Sequence, residues 1–230
     1  MASSLVIVTP PASEPLTLDE AKLHLRVTTD DDDDHIMRCI SAARSHAEVF
    51  LNRALVTQTL RLRADSFPDL PNATLKYFTP TYSVESYLAR AISLMSGPIY
   101  VPRPPFQSVV SFTYVDQNGA TQNLPVFDGN FPTDQTYAYV LDSDAEPARI
   151  APAYELPWPV TLAQQGVVNL TWKAGYASIA LIPATIMQGM LMLISHFYEN
   201  REPFSEKPLS PVAIAGEALL WDERVYEIPA

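Results

Sequence analysis

The sequence has little of three residue types on which many functional sites depend. Its single cysteine, Cys39, excludes an intrachain disulfide and a cysteine-built zinc site. Its 7 glycines among 230 residues leave no glycine-rich loop at the start of a predicted helix, so a phosphate-binding loop is not expected. It has only 15 basic residues against 26 acidic ones, and the resulting formal net charge of −11 argues against tight nucleic-acid binding.

No metal or catalytic pattern is found among the remaining residues. The aspartate run 30–34 lacks the central glycine and the distal glutamate of a calcium-binding loop, so these side chains are expected to line a helix N-terminus. His196 and Glu199 share a helix face, but no third ligand is evident. No serine lies in a nucleophile elbow, and no cysteine–histidine pair suggests thiol chemistry. We therefore predict no metal, no cofactor and no enzymatic activity.

The apolar stretches do not predict a membrane protein. The N-terminus has no basic residue and only the short apolar run Leu5 to Val8, which does not make a signal peptide. Residues 174–198 carry no Asp, Glu, Lys or Arg, but Pro183 divides the run and polar residues interrupt its second half. A buried helix of a soluble domain is the better interpretation of this segment.

Two helices are predicted near the N-terminus. Thr17 and Glu20 have the spacing of a capping box, and the apolar residues after Thr17 recur at spacings of three and four. The second helix is predicted from about Asp33 to Leu51, with Asn52 ending it in the left-handed conformation.

The middle of the chain reads as antiparallel β structure punctuated by many of the 21 prolines. Residues 116–119 (DQNG) favour a hairpin turn. The predicted strands are 56–63, 99–101, 109–115, 122–126, 137–141 and 167–172. Residues 72–97 remain ambiguous between a short helix and a long loop.

The chain returns to helix after Pro183, with a wide apolar face, and a last short helix is predicted from Val212 to Trp221. The predicted fold class is α+β: a small α-helical bundle of N- and C-terminal helices with an inserted antiparallel β-rich domain. The predicted division is an N-terminal arm (1–14), the first part of the bundle (15–54), the β-rich insert (55–178), the second part of the bundle (179–221) and a C-terminal tail (222–230). The predicted bundle core comprises Leu18, Leu25, Ile36, Ile40, Phe50, Ile186, Met190, Leu191, Ile194 and Phe197.

Several stretches, in the right order between about residues 15 and 221, resemble the head–tail connector (adaptor) family of tailed phages. They are 16–27 (LTLDEAKLHLRV), 42–59 (AARSHAEVFLNRALVTQT), 104–109 (PPFQSV), 114–119 (YVDQNG), 182–184 (IPA) and 196–202 (HFYENRE). The sequence departs from the family at Asn52, where glycine is common, in residues 72–97, which look like an insertion, and beyond Trp221.

The resemblance implies a structural protein of the virion neck, assembled in the host cytoplasm. Such a protein forms a homo-oligomeric ring, commonly of twelve subunits, on the portal protein. The ring extends the channel for double-stranded DNA, which passes without sequence-specific binding, and it docks a stopper or tail-completion protein. By analogy with the family, the candidate portal contact comprises Leu219, Leu220, Trp221, Val225, Tyr226 and Ile228.

Two other functions stay open on the sequence alone. The β-rich insert, with its tryptophans and tyrosines, could be a binding module that recognises a peptide or a glycan. A hydrolase that uses surface carboxylates is the third possibility.

Overall fold

A computed structural model describes residues 3–68, 97–127, 137–153, 156–200 and 212–226, the side chains of the last range from Gly216 onward. The ambiguous segment 72–97 lies outside the described residues except for Gly97. The helices are α1 (Leu18–Leu25), α2 (Asp33–Leu51), α3 (Ala184–Glu199) and α4 (Val212–Trp221), with a 3₁₀ turn at Ile179–Leu181. The strands are β1 (Ser3–Thr9), β2 (Gln58–Ala64), β3 (Ile99–Tyr100), β4 (Phe106–Val115), β5 (Thr121–Asn123), β6 (Tyr139–Asp142), β7 (Arg149–Pro152) and β8 (Val168–Ala174).

The strands form two antiparallel sheets around their own core. The larger sheet has the order β1-β2-β8-β4-β5, and the smaller has the order β3-β7-β6. Trp172, Leu170, Ile150 and Tyr139 are almost fully buried between them. The predicted α+β class, with helices before and after an antiparallel β region, is thereby confirmed.

Local capping signals place the two N-terminal helices where the sequence predicts them. The Thr17 side chain accepts a hydrogen bond from the backbone N–H of Glu20, and the Glu20 carboxylate accepts one from the backbone N–H of Thr17. Asn52 closes α2 with a φ of 54°, a conformation that asparagine tolerates better than most residues.

The four helices share a second core. Ile36, Ile40, Ile186, Met190 and Ile194 are buried in it. The other five predicted core residues, Leu18, Leu25, Phe50, Leu191 and Phe197, are only partly buried and pack against it. Within the described parts of the chain, no helix is both long and apolar enough to cross a bilayer.

Strands β1 and β7 were not among the predicted strands. β1 lies in the segment predicted to be an N-terminal arm, and it pairs with β2 at the edge of the larger sheet. All seven of its residues are exposed, so its sequence lacks the alternation that a half-buried strand displays. β7 has only four residues and ends in proline, so its alternating pattern is too short to predict a strand from the sequence.

Gly175 lets the end of the larger sheet meet the linker between α2 and β2. It has a φ of +108°, and its N–H donates a 2.9 Å hydrogen bond to the carbonyl of Pro105. A Cβ atom at this position would lie 2.3 Å from the carbonyl oxygen of Val56, closer than non-bonded atoms approach. The close crossing of the two backbones therefore requires glycine.

We predict that Gly175→Ala lowers the free energy of unfolding by more than about 2 kcal/mol, because both the backbone conformation and the missing space oppose a side chain. Urea unfolding of the purified protein measures the change. Gly119→Ala is the matched control, since Gly119 also has a positive φ (+83°) but no atom within 4 Å of its Cβ position. Equal losses in the two variants would contradict the crowding argument.

Candidate functional site: the junction and the aromatic surface beside it

A buried carboxylate joins the helical bundle to the larger sheet. Glu48, near the end of α2, is only 8% exposed. Its Oε1 accepts hydrogen bonds from the Leu55 backbone N–H (2.9 Å) and from the Gln58 amide (3.0 Å), and its Oε2 accepts one from Arg44 (3.1 Å). Arg44 in turn pairs with Glu14 at 2.7 Å. One side chain thus ties α2 to the start of β2.

Two arginines extend this junction to other parts of the chain. The Arg103 side chain donates to the backbone carbonyl of Glu48. Arg53, just after α2, donates from Nε to the carbonyl of Glu223 at 2.7 Å and forms a 2.8 Å ion pair with Glu146. Arg53 therefore links the C-terminal segment, the end of α2 and the β region.

Helix α4 lies unusually close to α3 because glycines face each other at the crossing. A Cβ atom on Gly189 would lie 2.8 Å from a methyl group of Leu220, and one on Gly216 would lie 3.4 Å from the Gly189 carbonyl. Leu220 is fully buried by this packing, a burial that contributes about 1.5–3 kcal/mol. The crossing fixes which face of α4 is turned away from the core.

Three aromatic rings surround one arginine at the C-terminal end of α4. We call Phe50, Trp221, Arg224 and Tyr226 the aromatic surface. The Arg224 guanidinium carbon lies 5.3 Å, 5.5 Å and 5.8 Å from the ring centres of Phe50, Trp221 and Tyr226. Trp221 is 51% exposed and Tyr226 is 63% exposed. Tryptophan, tyrosine and arginine are the residue types that contribute most to protein–protein binding energy.

The backbone that carries these side chains is held against α2. The Val225 N–H donates a 2.9 Å hydrogen bond to the carbonyl of Leu51, at the end of α2, and Arg53 holds the carbonyl of Glu223. The first residues after α4 are therefore attached to the bundle. This attachment presents the rings of Trp221 and Tyr226 in a defined arrangement, which reduces the entropy lost on binding a partner.

The structure divides the predicted portal-contact residues into three groups. Trp221 and Tyr226 are exposed and belong to the aromatic surface, while Leu219 and Val225 are half-buried. Leu220 is in the helical core and has no exposed side chain to offer a partner. Ile228 lies outside the described residues.

Phe50 and Arg224 are part of this surface but were not among the predicted contacts. Phe50 was predicted as a core residue, and it does pack partly against the core while one side contacts Trp221 at 6.0 Å between ring centres. Arg224 had a signal in the sequence, since it lies three residues after one aromatic and two before another. That spacing alone does not reveal contact with Phe50, which is distant in the chain.

Two carboxylates of the aspartate run 30–34 form ion pairs with a lysine of α1. The Lys22 Nζ atom bonds Asp30 at 2.6 Å and Asp33 at 2.7 Å. These hydrogen bonds, the one to Asp30 first, raise the pKa of Lys22 to about 12, and Lys22 lowers the pKa of Asp30. Tyr198 donates to Asp32 at 2.7 Å. Over the described ranges, no three His, Cys, Asp or Glu side chains are grouped to hold a metal ion.

Comparison with known proteins agrees with the resemblance found in the sequence. The sequence model of a phage family, described as gp6-like head-tail connector protein, matches residues 15–111. That range contains α1, α2, β2, β3 and part of β4. The predicted resemblance to the head–tail connector family is confirmed over this part of the chain. No curated protein sequence matches the chain.

Solved structures extend the likeness over the whole chain. A protein in the neck of an empty gene transfer agent particle, computed with C6 symmetry, superposes with a TM-score of 0.65 at 18% identity, covering 98% of this chain and 97% of its own. A protein of the native gene transfer agent virion gives 0.64 at 19% identity, with the same coverages. One from the native neck, computed with C12 symmetry, gives 0.62 at 18% identity, covering 100% and 98%. The chain has the fold of these particle proteins.

We predict that Glu48→Leu lowers the free energy of unfolding by about 3 kcal/mol, because it leaves two buried donors, the Leu55 N–H and the Gln58 amide, without an acceptor and removes one of the two carboxylates that pair with Arg44. Chemical denaturation measures the loss. The control is Glu217→Ala, which removes a half-buried carboxylate paired with His46 and should cost less than about 1 kcal/mol. If Glu48→Leu were as stable as this control, the junction would not depend on the carboxylate.

Proposed function

We propose that the protein is a head–tail connector (adaptor) of a tailed phage or phage-like particle, a structural component of the virion neck. The observation that carries the proposal is the likeness in fold along the whole chain to proteins of gene transfer agent necks. The family match over residues 15–111 supports it independently, because it comes from sequence. In this role the protein is not an enzyme and needs no cofactor.

The proposed assembly is a ring of twelve identical subunits on the portal protein. The C12 symmetry used for one matching neck supports that number. Closed rings require two different complementary surfaces on each subunit, one for each neighbour. The ring extends the channel for double-stranded DNA and docks a stopper or tail-completion protein at its other end.

The aromatic surface is the proposed portal contact. It combines two exposed rings with a cation held between them, and the hydrogen bonds to Leu51 and Arg53 fix its backbone. Trp221 and Tyr226 are the proposed anchors, since they alone among the described predicted contacts expose most of their side chains. Leu220 supports them from the core.

The ring is tested by native mass spectrometry and negative-stain imaging of the full-length protein, alone and mixed with the portal protein of the same particle. We expect closed rings of twelve subunits in the mixture. A protein that stays monomeric under both conditions would contradict the proposal. Binding of a glycan or peptide by such a monomer would instead favour the binding-module alternative.

The portal contact is tested with Trp221→Ala and Tyr226→Ala. Each should weaken portal binding about tenfold or more, because truncating a central aromatic anchor typically costs about 2 kcal/mol or more. Isothermal calorimetry or surface plasmon resonance measures the affinity, and circular dichroism checks the fold. Leu23→Ala is the control, since Leu23 is 81% exposed and lies on α1. Equal affinities for all three variants would remove the aromatic surface from the contact.

A further inference from the structure

The outer face of the larger sheet has a charge opposite to that of the protein. The five strands of this sheet contain no aspartate or glutamate, although the chain has 26 acidic residues. They contain three cations, Arg61 and Arg63 on β2 and Lys173 on β8. All three side chains are exposed, whereas the residues that alternate with them point into the core.

These cations lie close together on one face. Arg61 and Arg63 are two residues apart on one strand, which separates them by about 7 Å. Lys173 pairs with Thr59, so it lies diagonally from Arg61 on the adjacent strand, again about 7–8 Å away. None of the three has an ion-pair partner within the described ranges.

The carboxylates nearest to this face along the chain are committed to their own turns. Asp65, which follows β2, accepts a 2.8 Å hydrogen bond from the N–H of Gly166. Asp116, which follows β4, accepts hydrogen bonds from the Gln122 side chain first of all, and from the N–H groups of Ala120 and Asn118, and these bonds lower its pKa. Neither carboxylate forms an ion pair with one of the three cations, although Asp65 lies beside Arg63 at one end of the face.

The rest of the face is rich in hydroxyl and amide groups. The registers of the strands place Asn169 and Thr113 in line with Arg63, and Ser111 in line with Arg61. The exposed apolar residues of this sheet lie at a bulge in β4, which carries Val110, and on the edge strand β1, where residues 5–8 are all exposed and Val6 pairs with Arg61. Protein-binding surfaces have an apolar or aromatic centre, whereas surfaces that bind DNA are polar and positive. The composition of this face is of the second kind.

Arg63 also borders an open groove at one end of the face. The groove, of about 690 Å³, is lined by Ser3, Ser4, Arg63, Asp65, Gln164, Gln165 and Gly166. A Cβ atom on Gly166 would lie 2.9 Å from the Arg63 guanidinium, so glycine leaves room for this side chain beside the turn. Apart from the Asp65 carboxylate, the hydroxyl, amide and guanidinium groups there continue the chemistry of the sheet face.

We propose that the outer face of the larger sheet contacts the sugar–phosphate backbone of double-stranded DNA without reading its sequence. Arginine, lysine, serine, threonine and asparagine are the side chains that make such backbone contacts. Three cations per subunit make each contact weak and salt-dependent. This inference rests on the proposed function, in which the ring surrounds the DNA channel.

The test measures the binding of a fluorescein-labelled duplex of mixed sequence to the full-length protein by anisotropy, over a series of salt concentrations. Arg61→Thr/Lys173→Thr should weaken binding roughly tenfold at low salt and reduce the slope of log affinity against log salt by about 1.8, near 0.9 for each lost phosphate contact. Threonine keeps the strand propensity of these positions.

The control is Arg26→Gln/Arg38→Gln, which removes two exposed cations from the helical region and should leave both the affinity and the slope nearly unchanged. Equal effects of the two double variants would overturn the proposal, because only net charge would then matter. So would the absence of duplex binding by the unaltered protein at low salt.

Native mass spectrometry of the same samples separates the two proposals. Rings that form with portal but do not bind the duplex would overturn the DNA contact and leave the connector function standing. If the sheet variant instead kept its duplex affinity and lost binding to portal or stopper protein, the face would be a protein contact. A chain that never forms rings would contradict the connector function itself.

Discussion

The arrangement of this molecule depends on burying one carboxylate among several donors. Removing an ionised carboxylate from water costs several kcal/mol, and Glu48 offsets that cost only because Leu55, Gln58 and Arg44 all donate to it. Those donors come from α2 itself and from the chain that enters β2, so they can converge only when bundle and sheet meet in one way. The backbone carbonyl of Glu48 also accepts a hydrogen bond, from the side chain of Arg103. A polar contact of this kind specifies geometry more strictly than apolar packing, which tolerates sliding.

The features that the sequence predicted are those with a local cause. The capping box at Thr17, the left-handed Asn52 and the start of α3 after Pro183 each depend on residues within four positions of one another. The bounds of α2 and α4 were predicted correctly for the same reason, and the predicted strand 167–172 lies within one to two residues of β8. Chemistry contained in a few neighbouring residues can be read without knowing the fold.

The features that escaped prediction depend on contacts between distant parts of the chain. α4 is apolar on nearly every side, so the periodicity of its sequence could not distinguish the buried Leu220 from the exposed Trp221. Leu220 is the buried one because it packs against Gly189 of α3. Likewise the burial of Glu48 could not be predicted, because nothing in the neighbouring sequence indicates that Gln58 will reach it. β1 has no alternation of apolar and polar residues that would predict a strand, since it lies at the edge of the sheet and all its residues are exposed. Pairing with β2 alone makes it a strand.

The charge distribution suits the two kinds of partner that belong to the proposed function. Attachment to a portal must persist, so it suits a few rigid aromatic anchors, of which Trp221 and Tyr226 are the proposed pair. Contact with moving DNA must be brief, and a ring multiplies every subunit's contact by the number of subunits. A dense cationic cluster, repeated around the ring, would hold the DNA in place. In the proposed DNA contact, three cations on an otherwise neutral sheet, in a subunit with a net charge of −11, would keep the individual contact weak enough for the duplex to slide.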